Sequence, residues 1–265
     1  MERKFTVSHM LRQALKRVDH QLLHKKISNF LLKKRRNRIT KLIQRQKLES
    51  IEISYKKDLN PLSELFDKYG SDKGTNKNKD HVFDWHPNNY ADLYTMLFEG
   101  VRETARTVFE CGIGTNNPNM PSSMGERGKP GASLKAWRDY FSNAEIFGAD
   151  IDASILFQEE RIKTGYMDQC DPNSIKMFLK KFNLNELDVV IDDGLHTFQA
   201  AKTLFENTYP VLAKGGFYII EDIHPSEAER FTKYFNSLKE NAQYAIFTTS
   251  KGLPVGNLIW LRKKV

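Results

Sequence analysis

The chain has 265 residues, of which 40% are hydrophobic and 11% aromatic, so it can bury a core of ordinary size and is not expected to be disordered. No stretch approaches the roughly 18 consecutive apolar residues of a membrane-spanning helix. The N-terminus lacks the apolar core and cleavage site of a secretory signal peptide. The sequence therefore predicts one main globular domain with an appendage, and no membrane span.

Positive charge is concentrated near the N-terminus. The formal net charge is +8, but residues 1–50 contain 15 Lys and Arg against 3 Asp and Glu, which leaves the rest of the chain net acidic. Basicity alone would suggest a nucleic-acid-binding protein, yet here it belongs to a terminal segment and not to the main domain. We therefore treat residues 1–50 as a separate extension.

Within this extension, apolar residues recur at helical spacing over 10–43 and are separated by basic runs, which predicts one or two basic amphipathic helices. Three roles are open. The helices could pack on their own domain or on a partner subunit, such as a second copy in a homo-oligomer. They could lie on an anionic membrane surface, where each Lys or Arg contributes about 1 kcal/mol, or they could bind RNA. A mitochondrial presequence is disfavoured because the segment is long and rich in Lys.

The two cysteines, Cys111 and Cys170, are too few for a disulfide scaffold and are not spaced like a metal-binding pair. Both are predicted to be core thiols in a reducing compartment. The expected location is the cytoplasm, with peripheral association at the inner face of the membrane if the extension binds lipid.

Residues 51–104 are predicted to form a linker, a short helix over 62–69 and a lid segment. The helix is followed by a turn-rich loop at 70–75 and by a His- and aromatic-rich stretch at 81–94. Such a mixture of polar groups and aromatic rings suits sugar recognition, so we expect a ligand-binding lid. The alternative is a surface loop anchored by Trp85 and Tyr90. The polar and aromatic residues of the proposed lid are His81, Asp84, His86, Asn88 and Tyr90.

From residue 105 to 265, hydrophobic runs alternate with helical patterns. Strands are predicted over 107–110, 145–150, 187–192, 216–221, 244–248 and 257–262, and helices over 134–141, 172–182 and 198–212. This alternation predicts an α/β fold with a doubly wound, mainly parallel, Rossmann-like sheet of seven strands. The last two strands are joined by a segment rich in Gly and Pro and are predicted to form an antiparallel hairpin.

A cofactor site is predicted where the first strand runs into a glycine turn, in the sequence Val-Phe-Glu-Cys-Gly-Ile-Gly-Thr at 108–115. Gly112 and Gly114 allow a ligand to approach the backbone at the carboxyl end of the strand. Glu110 favours S-adenosylmethionine (SAM), which carries a cationic sulfonium and an ammonium group, over a dinucleotide, whose pyrophosphate a carboxylate would repel. Thr115 completes the turn.

Acidic residues follow the next strands at the same edge of the sheet. Asp150, at the end of the second strand, is suited to accept hydrogen bonds from both hydroxyls of a ribose. A short strand is predicted at 165–171, and its polar residues Asp168 and Gln169 suit an adenine amino group. Asp171 precedes Pro172 and is predicted to cap a helix.

These segments resemble the class I SAM-dependent methyltransferases over residues 105–222. Four segments are similar to the mycinamicin/macrocin type of sugar O-methyltransferases. They are Ser-Asp-Lys-Gly-Thr at 71–75, the Gly- and Pro-rich insertion at 116–133, which leads into Ala-Ser-Leu-Lys-Ala-Trp at 132–137, Asp168 with Gln169, and Ile-Asp-Asp-Gly-Leu-His at 191–196. This narrower resemblance covers roughly residues 62–262. Similar proteins occur among bacterial surface-polysaccharide genes.

The resemblance implies a catalytic base and a metal site, which an alcohol acceptor also requires because its hydroxyl is a very weak acid. His196 takes the position of the base. Asp193, Glu221 and Asp222 take those of ligands for Mg²⁺ or another divalent cation. Asp192 is assigned to the cofactor or to a structural role. Leu195 stands where a serine is expected, which questions the local hydrogen bonding.

Two further segments are candidates for contact with the substrate. His224 could contact the substrate or the metal, although the adjacent Pro225 suggests that it only fixes a turn. The insertion at 116–131 is a second candidate lid.

The sequence therefore predicts a metal-dependent SAM O-methyltransferase that acts on a sugar hydroxyl of a cell-surface glycan or its precursor. A small-molecule glycoside or natural product is the alternative acceptor. RNA is disfavoured because no Asn/Asp-Pro-Pro-Tyr-like motif follows the fourth strand.

Overall fold

An eight-stranded β-sheet forms the framework of the described residues of the protein, whose structure is a computed structural model. The structure describes residues 60–74, 90–224, 226–238, 242–248 and 257–263. The predictions made for the basic extension and the linker lie outside the described residues. So do those for His81, Asp84, Trp85, His86, Asn88 and Pro225.

The strands follow the hydrophobic runs of the sequence, and each of the six main predicted strands is present. In chain order, β1 to β8 are Thr107–Cys111, Glu145–Asp150, Gln158–Glu159, Ile162–Tyr166, Leu187–Asp192, Leu212–Ile220, Ala242–Thr248 and Asn257–Lys263. β1, β2, β5 and β6 are buried along most of their length, as expected for strands that are covered on both faces.

The order of the strands in the sheet is β3-β4-β2-β1-β5-β6-β8-β7. β4, β2, β1, β5 and β6 are parallel, whereas β8 pairs antiparallel with both β6 and β7. The predicted doubly wound sheet and its terminal hairpin are therefore confirmed, and the two-residue β3 is the strand beyond the seven expected. The chain order reverses between β1 and β5, and in sheets of this kind ligands bind at such a reversal, beyond the carboxyl ends of the strands.

Six α-helices flank the sheet in the described residues. In chain order, α1 to α6 are Pro61–Tyr69, Tyr90–Phe98, Ala132–Tyr140, Pro172–Lys181, Phe198–Thr208 and Ala228–Ser237. The side chain of Asn60 accepts hydrogen bonds from two backbone N–H groups at the start of α1, and Asp171 caps α4 in the predicted way. Within the described ranges, none of these helices has the length and apolar character needed to cross a membrane.

Aromatic side chains join α1 and α2 to the sheet. Trp137 of α3 is fully buried, and its ring centroid lies 4.9 Å from that of Phe66 in α1 and 5.1 Å from that of Tyr94 in α2. Phe98, at the end of α2, packs edge-on against Phe217 of β6 at 5.5 Å. Residues 60–74 and 90–98 therefore belong to the same core as the sheet.

The strand predicted at 165–171 is displaced toward the N-terminus. β4 occupies Ile162–Tyr166, because the side chains of Ile162 and Thr164 face the core. After Met167 the chain turns, and the carboxylate of Asp168 accepts a hydrogen bond from the backbone N–H of Cys170 at 2.8 Å. Cys170 lies in this exposed turn, so its prediction as a core thiol is wrong, whereas Cys111 is buried as expected.

The helix predicted over 198–212 is shorter than its apolar pattern suggests. α5 ends at Thr208, and a 3-10 turn over Tyr209–Val211 leads directly into β6. Pro210 has no backbone N–H and cannot continue the helical hydrogen-bond pattern. The apolar residues that follow it therefore begin a strand.

Candidate functional site

The glycine turn after β1 passes close to the loop after β5. Gly112 has a φ of +84°, and a Cβ atom built on it would lie 2.1 Å from the carbonyl oxygen of Asp193. Two backbone hydrogen bonds fix this approach, from Gly112 N to Ala149 O at 2.8 Å and from Asp193 N to Cys111 O at 2.9 Å. Glycine is required at position 112 both for its left-handed backbone and for the absence of a side chain.

Asp150 and Asp152 accept hydrogen bonds from residues of this turn. One oxygen of Asp150 accepts a hydrogen bond from the backbone N–H of Ile113, and the other accepts one from that of Asp152, each at 2.9 Å. The hydroxyl of Thr115 donates to Asp152 at 2.5 Å. Each carboxylate oxygen can accept a further hydrogen bond, so Asp150 retains acceptor capacity for a ligand while it shapes the turn.

Asp192 and Gln169 form a second polar unit at the end of β5. The side-chain amide of Gln169 donates to Asp192 Oδ1 at 2.6 Å, and its oxygen accepts the backbone N–H of Leu195 at 2.9 Å. The other oxygen of Asp192, Oδ2, is buried without a hydrogen-bond partner. At Leu195, where the resemblance implies a serine, the backbone N–H supplies the hydrogen bond to Gln169. Asp168 is not part of this unit.

Asp193, His196 and Asp222 form a cluster that could hold a metal ion. Their ligand atoms lie within 4.8 Å of one another, and all three residues are half-buried. The Nε2 atom of His196 is 3.9 Å from Asp193 Oδ1 and 3.9 Å from Asp222 Oδ2. These distances are too long for hydrogen bonds, so the three side chains face one another across a small gap. We name this group the outer triplet.

Two residues of the outer triplet have strained backbones. His196 has a φ of 56° and Asp222 a φ of 53°, in the left-handed region that residues other than glycine seldom adopt. Each such residue costs about 1–3 kcal/mol, and strain of this kind clusters at functional sites.

A second group of carboxylates lies deeper. Oxygens of Glu110, Asp193 and Glu221 also lie within 4.8 Å of one another, and we name this group the inner triplet. The ammonium group of Lys73, which is 2% exposed, contacts Asp193 at 2.5 Å, Glu221 at 2.8 Å and Glu110 at 3.5 Å. Asp193 belongs to both triplets and links them.

Two tyrosines of α2 donate hydrogen bonds to the carboxylates after β6. The hydroxyl of Tyr94 donates to Glu221, and that of Tyr90 donates to Asp222 at 2.6 Å. Two roles are predicted for Tyr90, a contact in a ligand-binding lid and a packing anchor, and its burial at the start of α2 fits the packing anchor. Its hydrogen bond also orients the carboxylate of Asp222.

Burial and mutual repulsion raise the pKa values of these acids. Burial raises the pKa of Glu110 to about 7 although Lys73 lowers it. It raises the pKa values of Asp192 and Asp222 to about 6, and Asp193 adds to both effects. Burial and repulsion by Asp193 and Asp222 raise the pKa of Glu221 well above its usual value. If all were ionised, these acids would carry more negative charge than the buried ammonium group of Lys73 balances.

Most of the predicted site residues that the structure describes meet at the carboxyl ends of β1, β2, β5 and β6. They are Glu110, Gly112, Gly114, Thr115, Asp150, Gln169, Asp192, Asp193, His196, Glu221 and Asp222. Asp168 lies instead in the turn after Met167. His224 is not in the metal-binding groups of the described residues. Its ring is exposed and forms a 2.7 Å hydrogen bond with Ser226, which fits the prediction of a turn-fixing role.

Sequence reasoning missed Lys73 and Tyr94. Lys73 lies in the Ser-Asp-Lys-Gly-Thr sequence that contributes to the resemblance, but the sequence alone indicates no role for it. A helical signal is present for Tyr94, because Tyr90, Tyr94 and Phe98 recur at intervals of four residues and form one face of a helix.

The fold of the described residues is similar to that of a solved methyltransferase. The MycE methyltransferase from the mycinamycin biosynthetic pathway, in complex with Mg and SAH, matches 78% of this chain and 55% of its own with a TM-score of 0.58 and 22% identity. This is the class I methyltransferase fold. No protein-family model matches the chain.

Curated relatives of this chain are sugar O-methyltransferases. An 8-demethyl-8-alpha-L-rhamnosyl tetracenomycin-C 2'-O-methyltransferase of Streptomyces olivaceus is 31% identical over 170 residues, which are 64% of this chain and 39% of that enzyme. An L-olivosyl-oleandolide 3-O-methyltransferase of Streptomyces antibioticus is 33% identical over 166 residues, which are 63% of this chain and 38% of that enzyme. The match thus spans less than two fifths of the length of these relatives. The resemblance to methyltransferases of the mycinamicin type is confirmed.

We predict that Gly112→Ala lowers the free energy of unfolding by about 2 to 5 kcal/mol, because the new Cβ meets the Asp193 carbonyl and the backbone is left-handed. Gly125→Ala is the matched control, since Gly125 has a φ of +77° but no atom within 4 Å of the position that a Cβ would take. It should cost only about 1–2 kcal/mol. Urea denaturation measures both, and equal losses would contradict the close approach.

We also predict that the free energy of unfolding in EDTA falls as the pH rises from 5 to 8. Glu110 holds its proton more tightly in the folded state, where its pKa is about 7, than in the unfolded state, where it is near 4.5. The contribution of Glu110 to the free energy of unfolding is therefore complete below pH 4.5 and is lost as the pH rises through 7. Glu110→Gln should reduce the slope in urea denaturation, whereas Glu126→Gln, at an exposed position, should not. An unchanged slope in Glu110→Gln would refute this assignment.

Proposed function

We propose that this protein is a SAM-dependent O-methyltransferase that acts on a sugar hydroxyl with the help of Mg²⁺ or another divalent cation. The observation that carries the proposal is the outer triplet of Asp193, His196 and Asp222, which lies at the carboxyl ends of the strands beside the glycine turn. A candidate base, hard oxygen ligands and a cofactor turn thus occur at one edge of the sheet.

The relatives support the same chemistry. Those described above are named as O-methyltransferases of sugar-bearing compounds, and the MycE methyltransferase was solved with Mg and SAH. The aligned region covers under two fifths of the length of the two enzymes, so the activity of this chain is inferred from the match together with the site.

The donor set fits a divalent cation. Asp193 and Asp222 offer carboxylate oxygens, which Mg²⁺ prefers, and their backbones bring them to the same gap. Burial and Asp193 raise the pKa of Asp222 to about 6, so at neutral pH an additional positive charge near it would be favourable. Glu221 lies next to Asp222 in the chain, but its oxygens accept from Lys73 and Tyr94.

The cofactor side also fits SAM. Gly112 and Gly114 have φ values of +84° and +87°, and neither places a side chain in the turn. Asp150 and Asp192 place carboxylates beside it, and these suit a cationic ligand better than a pyrophosphate. Glu110, in the strand that leads into the turn, is engaged by Trp137 and Lys73. The buried and unpaired Oδ2 of Asp192 provides an acceptor that the protein itself does not satisfy.

When bound, SAM supplies an electrophilic methyl group and the divalent cation supplies Lewis-acid stabilisation of an alkoxide. His196 is the residue we assign to accept the proton of the sugar hydroxyl, at Nε2, which faces Asp193 and Asp222. Asp193 and Asp222 would hold the metal, and the 2.6 Å hydrogen bond from Tyr90 orients Asp222 for that role.

The sugar is the feature common to the two acceptors that the sequence suggests. The relatives act on glycosides of small molecules, which supports a glycoside acceptor over a cell-surface glycan. The surface-glycan hypothesis rests on the gene context of similar proteins and on the basic extension, which lies outside the described residues. We therefore propose a small-molecule glycoside, and not a cell-surface glycan, as the acceptor.

His196→Asn should abolish methyl transfer, with a loss of about 100-fold or more, and should leave the binding of Mg²⁺ nearly unchanged. Asparagine tolerates the left-handed backbone at position 196 well, so the fold should be preserved. Asp193→Asn should weaken both activity and Mg²⁺ binding, as measured by titration calorimetry. If His196→Asn lost Mg²⁺ affinity as Asp193→Asn does, His196 would be a ligand and not the base.

Transfer of a labelled methyl group from SAM tests the acceptor directly. We expect label to appear on rhamnosyl or olivosyl glycosides in the presence of Mg²⁺ and to be lost in EDTA. An extracted bacterial surface glycan and a transfer RNA serve as competing acceptors in the same assay. Label on the surface glycan alone would reverse the order of the two sugar acceptors, and label on RNA alone would refute the proposed substrate class.

A further inference from the structure

Lys73 is a buried cation that the proposed chemistry does not use. It lies in the loop after α1, at 2% exposure, and its ammonium group contacts all three carboxylates of the inner triplet. Two of these contacts, to Asp193 at 2.5 Å and to Glu221 at 2.8 Å, are charge-assisted hydrogen bonds. A lysine is seldom buried to this degree unless it is paired, so the site itself must explain its position.

The inner triplet has the composition of a cation site. Its oxygens converge within 4.8 Å, as the ligand atoms of the outer triplet do. In Glu110, one oxygen accepts from Trp137 at 3.0 Å, while the other is buried and has no hydrogen-bond partner. The ammonium group of Lys73 lies 3.5 Å from that oxygen. The inner triplet is thus already occupied by a positive charge from the protein.

Pairing of this kind is costly to break on one side only. Removal of Lys73 would leave two or three carboxylates buried near one another with no counter-charge, and an uncompensated buried charge destabilises a protein strongly. The second oxygen of Glu221 is held by Tyr94, so this residue cannot swing away to solvent without losing a further hydrogen bond.

We propose that Lys73 is a fixed counter-cation that fills the inner triplet and so confines a divalent ion to the outer one. Asp193 is shared, so the lysine also positions the carboxylate that the outer triplet uses. Lys73 is a positioning residue, not a catalytic one. The confinement of the ion rests on the proposed metal site, whereas the counter-cation role does not.

Thermal unfolding of the full chain with EDTA or with Mg²⁺ alone tests the proposal in Lys73→Ala. This substitution removes the charge and leaves room for an ion and its water. We expect the melting temperature in EDTA to fall by on the order of 10 °C. We expect Mg²⁺ to raise it by more than in the wild type, because the vacated inner triplet now accepts an ion.

Lys68→Ala is the matched control, since Lys68 is an exposed lysine of the preceding helix that pairs with Asp139. It should change neither the melting temperature nor the Mg²⁺ response appreciably. The counter-cation role is overturned if Lys73→Ala is as stable as the wild type in EDTA. Confinement is overturned if Mg²⁺ stabilises the variant no more than the wild type, which is the result expected of a merely structural lysine.

A second pair of variants covers the case in which Lys73→Ala does not fold. Lys73→Met fills the space without the charge, and Lys73→Met with Glu221→Gln removes one negative charge as well. In EDTA, the double variant should melt at a higher temperature than Lys73→Met alone. A double variant that is no more stable, or that also fails to fold, overturns the proposal. A wild type with no Mg²⁺ response would instead contradict the proposed metal site and leave this comparison valid.

Discussion

Mutual repulsion among carboxyl groups is the constraint on which this site depends. Glu110, Asp192, Asp193, Glu221 and Asp222 meet at the ends of three adjacent parallel strands, where burial raises the pKa of four of them. Such a group is stable only if cations and hydrogen-bond donors balance it. Lys73, Tyr90, Tyr94, Trp137 and Gln169 provide that balance, and they reach the site from several separate parts of the chain.

This constraint explains why α1 and α2 belong to the core. Their aromatic side chains pack on Trp137 and Phe217, and the same packing places the Lys73 ammonium and two tyrosine hydroxyls against the strand ends. The residues that pack these helices against the sheet therefore also fix the positions of the Lys73 ammonium group and the two tyrosine hydroxyls. Stability and site geometry are consequently linked through a common set of contacts.

The sheet and the strand-end residues could be predicted from the sequence because both are local. Hydrophobic runs with glycine or acidic residues at their ends specify each strand and its loop, and parallel order brings these ends to one edge. The close approach of Gly112 to Asp193 follows from that topology. The short β3 carries no pattern of its own, and β4 begins earlier than predicted because the polar segment after it resembles the end of a strand.

The partners of the acids could not be predicted in this way. Lys73 lies 120 positions before Asp193 and 148 before Glu221, so nothing in the neighbouring sequence marks it as buried. For Tyr90, the polar composition before it indicates a lid and obscures the helical spacing of the aromatic residues after it. An exposed histidine, His224, and the base candidate His196 look alike in sequence, and only their surroundings distinguish them.

The long separation between Lys73 and its partners has a consequence for how the chain folds. Lys73 is synthesised well before Asp193 and Glu221, so we expect its ammonium group to stay hydrated until both acids are in place. Bringing it into an apolar interior alone would be expensive, and so would burying the acids without it. The loop over 70–74 is therefore expected to dock late, after β5 and β6 have joined the sheet, so that opposite charges lose their water in one concerted step.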